Sequence, residues 1–500
     1  NIGTVTAEGG DWDDDISYNL DSAITRLDTI VTLIGSDQTV YVEVDHNTDA
    51  DITLGDYTVL AADSSDTAVQ MYVCDNDGAT VTLGDVKLES TNNVDLFVCD
   101  NQNATITLGD VTLDQLSTGG DTGSIDIRLS NNTDGGVDME NLTATNSAGD
   151  VTVKVYNNDV NSTDASVTLG DVTLTAMGED SLASFVLEDN DDTAITVGDL
   201  TLTAGGLAEV GLIDEYMSDT TIGNITLEGG SARVNVNVNQ DDDWSELEFN
   251  LGETLDITIN GDAGPGNVVT VDVEGISSGL ETITVRGDDI DAIDITLGSL
   301  RDDDGDGTSD TVVDTTLIDL SGVTSDTAFI NIDLTGEDEE DANLQDDMII
   351  RLGDFADGST ITTNVQDHGF SYEGGASISD GDGVRQIYVF EGSDIGDITI
   401  AGFVAGRSAA RDIDVGNSDL SDGDDNGFAN LTTDRIDLSA FGLTEEDVVV
   451  SYDSSGDGSV TITAADGQFD GSIIVTGVGV DDGTGDKDDY EDRVLDSIIF

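Results

Sequence analysis

Between about residues 37 and 260, apolar and polar residues alternate in short runs that break and resume at a recurring phrase. The phrase is Leu54-Gly55-Asp56, and it returns as Leu83-Gly84-Asp85, Leu108-Gly109-Asp110, Leu169-Gly170-Asp171 and Val197-Gly198-Asp199. Degenerate copies stand at Met139-Glu140-Asn141, Ile222-Gly223-Asn224 and Leu251-Gly252-Glu253. Counted at the central residue, the spacings are 29, 25, 31, 30, 28, 25 and 29. One signature per unit at such a period is the mark of a solenoid.

Each unit predicts three short strands. The first is seen in Tyr41–Val44, Met71–Cys74, Leu96–Cys99, Ile127–Ser130 and Phe185–Glu188. The second precedes the signature glycine and the third follows it. Apolar residues fall three and one before the glycine, then two and four after it. Alternation therefore changes phase at Gly-Asp, as a corner between two faces requires. Glycine can take positive φ at such a corner, and aspartate tolerates turns and bonds its own backbone.

Three strands and three corners per coil predict an all-β chain built on a parallel β-helix. A sandwich of repetitive hairpins is the competing fold. Aligned first strands place Tyr41/Met71/Leu96/Ile127/Phe185 and Glu43/Val73/Val98/Leu129/Leu187 in two inward columns. Ahead of the array, Ile24, Leu27, Val31 and Ile34 have helical spacing after Asp21-Ser22, which predicts a capping helix within residues 1–36. Gly264-Pro265-Gly266 marks a boundary, so β-rich domains are expected over 261–380 and 381–500.

Charge changes the picture next. The chain has 14 basic against 107 acidic residues, for a net charge of -93. Nucleic acid and anionic membranes are repelled by such a surface. No apolar run reaches the roughly 18 residues of a spanning helix, so no direct membrane insertion is expected. No leader pattern is visible, and a start at Asn1 points to a leader or preceding region outside the chain.

Stacking puts Asp56, Asp85, Asp110, Asp171 and Asp199, with Asn141 between, in one corner ladder. Asp45, Asp75, Asp100, Asn131 and Asp189 form another. Unit charges about 4.8 Å apart repel by about 0.9 kcal/mol in water. Bound cations would relieve this; the simpler reading is solvated turn residues diluted by asparagine.

Calcium is the expected cofactor on the pattern of three loops. Asp302, Asp304 and Asp306 precede Gly307, with Asp310 at the ninth position, so carboxylates at alternate positions can wrap a hard cation. Asp422, Asp424 and Asn426 before Gly427 repeat the pattern. Asp453 and Asp457 belong to a looser third copy.

The runs Ile387-Tyr388-Val389-Phe390, Asp397-Ile398-Thr399-Ile400-Ala401-Gly402-Phe403 and Asp434-Arg435-Ile436-Asp437-Leu438-Ser439-Ala440-Phe441-Gly442 follow a recognisable order. With the terminal Asp496-Ser497-Ile498-Ile499-Phe500, they resemble the C-terminal region of RTX-type exoproteins exported by bacterial type I secretion. The resemblance implies a place outside the cell or on its surface, where calcium is plentiful. The tandem glycine-rich nonapeptides of that family are missing, so its calcium sites do not carry over.

No catalytic constellation is visible. His46 and His368 are the two histidines, without a metalloprotease helix, nucleophile elbow or phosphate loop. Arg128 and Lys154 fall in one outward column; a polysaccharide lyase would use such cations beside calcium, whereas charge balance needs no enzyme. Cys74 and Cys99 share a column in successive coils and face outward by parity, leaving a disulfide, free thiols or intermolecular pairing open.

The expectation is thus a non-enzymatic extracellular protein that assembles with its own copies into a filament or surface layer through calcium. The alternatives are an adhesin, with cell-surface polysaccharide as its partner, and an ice-binding solenoid. The last rests on outward threonines: Thr53, Thr82, Thr107, Thr168 and Thr196 in one rank, Thr58, Thr112, Thr173 and Thr201 in another. In this reading the two ranks flank a corner and Lys87 interrupts them.

Overall fold

The computed structural model describes residues 4–8, 12–34, 39–61, 68–116, 123–158, 165–190, 193–213, 219–237, 249–260, 267–274, 280–288, 290–298, 317–325, 329–333, 348–355, 360–364, 386–390, 394–401, 435–438, 441–452, 459–464, 470–476, 495 and 498–499. The chain divides into two compact units, Asn1–Glu253 and Thr254–Phe500.

The first unit is a right-through parallel β-solenoid, and the sandwich alternative fails on its strand pairing. Eight complete three-strand turns run from Trp12–Ser17 to Ile225–Gly229, with a further strand, Thr4–Glu8, ahead of them. Each strand pairs in parallel with its counterparts in the turns before and after, in unbroken register. Three faces result. The first carries strands such as Val94–Cys99, the second strands such as Thr105–Leu108, and the third strands such as Val111–Gln115.

The reason for these strands is plain in their burial. On the third face the pattern alternates buried and half-buried in turn after turn, as in Val86–Ser90, Val111–Gln115, Val172–Ala176 and Leu200–Ala204. Val, Leu and Ile point into a filled interior. Leu83, Leu88, Leu96, Ile106 and Leu108 are among the largest fully buried side chains. Burying each such side chain contributes about 1.5–3 kcal/mol, and the parallel ladder leaves no strand alone except at the ends.

Two expectations need correction. Residues 23–34 are not a capping helix. They form strands Ala23–Thr25 and Thr29–Ile34, which pair with Asp51–Leu54 and Tyr57–Ala61 of the next turn. Leu27, expected on an apolar helix face, is 61% exposed, because Leu27-Asp28 holds the corner place that Gly55-Asp56 holds one turn later. Templating by a neighbouring turn overrides the local helical spacing.

The second correction concerns the first strand of one turn. Register pairs Val42 with Met71 and Val44 with Val73, so the inward columns are Val42/Met71/Leu96/Ile127/Phe185 and Val44/Val73/Val98/Leu129/Leu187. Tyr41 and Glu43 stand outward. The charged residue in an otherwise apolar column was the sign of a one-residue slip.

The second unit is also parallel, but its described strands lie on two faces. One ladder joins Thr254–Ile259, Thr282–Asp288, Leu317–Ser325, Met348–Phe355, Gln386–Phe390, Arg435–Asp437 and Ile498–Ile499. The other joins Val268–Glu274, Ala292–Gly298, Phe329–Asp333, Thr360–Asn364, Asp394–Ala401 and Asp470–Thr476. Antiparallel strands Val448–Tyr452 and Val460–Ala464 continue the second ladder beyond Asp470–Thr476. Pairing runs across residue 380, where the sequence had suggested a division.

Candidate functional site

The corner between the second and third faces collects the aspartates that the repeat had singled out. Asp56, Asp85, Asp110, Asp171 and Asp199 are exposed there, with Asp28 one turn earlier and Asn141 and Asn224 as amide members. Each carboxylate except that of Asp110 accepts a hydrogen bond from the backbone of the next turn. The N–H of Asp85 donates to Asp56 Oδ1 at 3.1 Å, that of Asp110 to Asp85 Oδ1 at 3.1 Å, and that of Asp199 to Asp171 Oδ1 at 3.1 Å. Asn141 serves both directions: its Nδ2 donates to Asp110 Oδ1 and its Oδ1 accepts from the N–H of Asp171.

The paired glycine is required by this contact. A Cβ at Gly84 would meet Asp56 Oδ1 at 2.4 Å, and at Gly170 the carbonyl oxygen of Glu140 at 1.6 Å. The ladder therefore ties turn to turn through one oxygen of each acid. For Asp56, Asp85, Asp171 and Asp199, the other oxygen has no protein partner among the described residues.

The corner after the first strand differs from the sequence reading, and Asp45 is not in its ladder. The left-handed residues there are Tyr18, His46, Asp75, Asp100, Asn131, Asn157 and Asp189, all with φ between 51° and 54°. His46, unlike Asp45, stands nine residues before its signature glycine, as Asp75 stands before Gly84. A short polar side chain tolerates this backbone better than most, which explains the Asp and Asn in the column.

One residue further along lies a feature that the sequence reading missed. Asn47, Asn76, Asn101, Asn132, Asn158 and Asn190 are buried in a single column. Asn101 Nδ2 donates to the carbonyl of Val73 at 2.8 Å and to Asn132 Oδ1 at 2.9 Å. Its own Oδ1 accepts from the N–H and Nδ2 of Asn76. The same bonds recur between Asn132 and Asn158 and between Asn158 and Asn190. The signal was present: an invariable asparagine directly after each left-handed residue.

Charged groups also enter the interior once. Asp14, 6% exposed, stands in the column that Val42 and Met71 continue. Arg26 Nη1 donates to both its oxygens, at 2.6 and 2.8 Å, and the Tyr57 hydroxyl donates to Asp14 Oδ2. Burial, then the bond to Asp14, holds the Tyr57 hydroxyl well above the usual phenol range.

On the first face the outward column runs Asp15, Glu43, Tyr72, Phe97, Arg128, Lys154. Beside it lie Asp13, Tyr41, Gln70, Asp95 and Asp126. Burial, followed by repulsion from Asp13, Asp45 and Asp15, raises the Glu43 carboxyl above its ordinary value. Asp95 is raised mainly by burial, against which the Gln70 bond works. Arg128 is held by Asp126 and lies over the Phe97 ring, 5.3 Å from its centre. Cys74 and Cys99 pair in register and form a disulfide, with Cα atoms 4.6 Å apart. Cys74 is buried, at 6% exposure, where parity had turned both cysteines outward.

The threonines form the predicted ranks, and more. Register aligns Thr53, Thr82 and Thr107 on the second face and Thr168 with Thr196 beyond Asp138. On the third face, Thr58 and Thr112 flank Lys87. Thr143, Thr173 and Thr201 then carry a second rank beside them, Thr145, Thr175 and Thr203. Two parallel ranks thus share one face over three turns, which the corner-flanking reading did not anticipate.

The three calcium loops, with Asp302, Asp304, Asp306, Asp310, Asp422, Asp424, Asn426, Asp453 and Asp457, lie outside the described residues. Among the described residues, no group of three or more His, Cys, Asp or Glu side chains is arranged to hold a metal ion. No helix among them is long and apolar enough to cross a membrane. No family model, curated protein or solved structure matches the chain.

Proposed function

We propose that the chain is an extracellular structural protein that assembles with copies of itself into a filament or surface layer, with calcium at the joints and no catalysis of its own. The observation that carries this reading is the corner ladder, where Asp56, Asp85, Asp171 and Asp199 each have one oxygen engaged internally and the other without a protein partner among the described residues. At a net charge of -93, close approach of two such rods is repulsive. Salt screens the field over about 8 Å at physiological strength, so a contact needs bound cations. A divalent ion shared by ladders of two copies turns the repulsion into the joint.

Two further points support it. A disulfide between adjacent turns suits an oxidising place outside the cell. The C-terminal resemblance to type I-exported exoproteins agrees with that location. Arg128, the cation a lyase would need free, is engaged by Asp126 and Phe97.

Light scattering and electron microscopy of the pure protein, with calcium and then with chelator at matched ionic strength, test the proposal. Ordered assemblies that dissolve with chelator are expected. A monomer in both conditions overturns it.

The double threonine rank of Thr143/Thr145, Thr173/Thr175 and Thr201/Thr203 favours a second reading, an ice-binding face. Inhibition of ice recrystallisation by the wild type, lost in Thr173→Lys with Thr201→Lys, is its expected signature. No inhibition by the wild type excludes it.

A further inference from the structure

The first face carries a group that neither self-assembly nor the threonine ranks use. Tyr72, Phe97 and Arg128 follow one another on three successive turns. The two rings are 5.1 Å apart, and the Arg128 guanidinium stands 5.3 Å from the Phe97 ring centre. These are three flat groups in one row along the solenoid, about 4.8 Å apart from turn to turn. We propose that this row is a binding platform for a neutral, hydroxyl-rich polysaccharide whose sugar rings lie along it.

The chemistry of the flank identifies the class. Gln70 Nε2 donates to Asp95 Oδ2 at 2.7 Å, and the Tyr72 hydroxyl donates to Gln70 Oε1 at 3.3 Å. Arg128 Nε donates to Asp126 Oδ1 at 3.1 Å. Donors and acceptors thus lie together beside the row: Gln70 links Tyr72 to Asp95, and Asp126 holds Arg128. A sugar hydroxyl both donates and accepts, so it can join such a chain at either kind of group. The C–H face of a pyranose ring meanwhile gains dispersion contact over an aromatic ring.

Charge separates this occupant from others. The first 253 residues hold five basic side chains: Arg26, Lys87, Arg128, Lys154 and Arg233. Arg26, Lys87 and Arg233 are paired with Asp14, Glu89 and Glu209. Only Arg128 and Lys154 are side by side on adjacent strands. Arg128 is itself paired with Asp126; a cationic partner finds denser acid elsewhere on the chain, while a polyanion is repelled by the whole surface. A neutral polymer meets neither obstacle. Among the described residues, Arg128 over Phe97 is the one cation–π contact, so the row has no counterpart.

A cross-strand aromatic pair also steadies a sheet by about 0.2–1 kcal/mol, and the test must separate that role from binding. Tyr72→Thr with Phe97→Val keeps good strand formers while removing the platform. Tyr18→Thr removes an exposed ring that stacks on His46 elsewhere and serves as the control. Full-length protein is run through native gels containing hydroxyethyl cellulose, laminarin or galactomannan, with alginate as the polyanion. Retardation by at least one neutral polymer is expected, weakened about tenfold or more in the double variant and unchanged in Tyr18→Thr. Circular dichroism of each variant checks the fold. The proposal is overturned if no neutral polymer retards the wild type, if the double variant binds equally, or if alginate retards as strongly as the neutral polymers.

Discussion

The two units bury their interiors in the same way and differ in the faces and register of their described strands. In both, Val, Leu and Ile alternate inward on parallel strands, as Val271/Ile295/Ile332 in the second unit and Leu96/Ile127/Val153 in the first. The first unit carries a buried asparagine in six successive turns and a Gly-Asp pair in five, and shows three faces. The described strands of the second lie on two, and they pair with shifts of register at Thr284/Arg286, Leu320/Thr324 and Asp394/Gly396. The alternation sets which side of a strand is inside. In the first unit the corner contacts hold one turn over the next.

That comparison can be broken at the asparagine column. Asn101→Ala leaves the carbonyl of Val73, the amide of Asn76 and the side chain of Asn132 without their partner. At about 1–3 kcal/mol for each unsatisfied buried group, a loss of about 4 kcal/mol is expected. Hydrogen exchange of the full chain should show faster opening across Met71–Leu142 and unchanged protection of Thr254–Ile259. Equal loosening of both units would show that the effect of these corner contacts is not confined to the first.

The disulfide gives the next effect. It closes a loop of 25 residues between adjacent turns, a constraint worth about 3 kcal/mol. Cys74→Ser with Cys99→Ser should lower the urea midpoint of the first unit and leave the second where it was.

Alkaline titration probes the charged interior of the first turn. Burial and the Asp14 bond favour the neutral Tyr57 phenol in the folded state. A folded value raised above the unfolded one means that its contribution is present below about pH 10 and is lost as pH rises further, by about 1.4 kcal/mol per pH unit. The unfolding free energy of the first unit should therefore fall above pH 10. Tyr57→Phe should flatten that slope, and an unchanged slope would assign it to other groups.

The smallest effect sharpens the contrast between corner and strand. At Gly136, within the strand Gly136–Met139, a Cβ would meet nothing closer than Ser166 Oγ at 3.4 Å. Gly136→Ala should stabilise by about 0.5 kcal/mol by restricting the unfolded chain. Gly170→Ala, facing the Glu140 carbonyl, should instead destabilise measurably in the same denaturation assay.

Much of this was legible in the sequence because a solenoid repeats its local pattern once per turn. The Leu-Gly-Asp phrase located the corner, the phase change located two faces, and the Asp56-to-Asp199 ladder followed from the period alone. The second corner was less legible because His46 replaces an acid in one copy, and the neighbouring Asp45 drew the alignment one residue away. The asparagine column escaped because an Asn beside an Asp reads as ordinary turn composition. Its meaning appears only when Nδ2 and Oδ1 are seen to bridge three turns.

By itself, then, the sequence determined the period and most of the strands with their inward sides, since these depend on alternation and on residues that turns demand. The tertiary structure decided what depends on neighbours across turns. It made residues 23–34 a solenoid turn instead of a helix, because backbone hydrogen bonds to residues 51–60 are available there and a lone amphipathic segment has no equivalent. It joined Cys74 to Cys99 in a disulfide and set the Arg128 guanidinium over the Phe97 ring. Those contacts join residues about 25–31 positions apart, and their register is set by the closing of each turn, which no local pattern encodes.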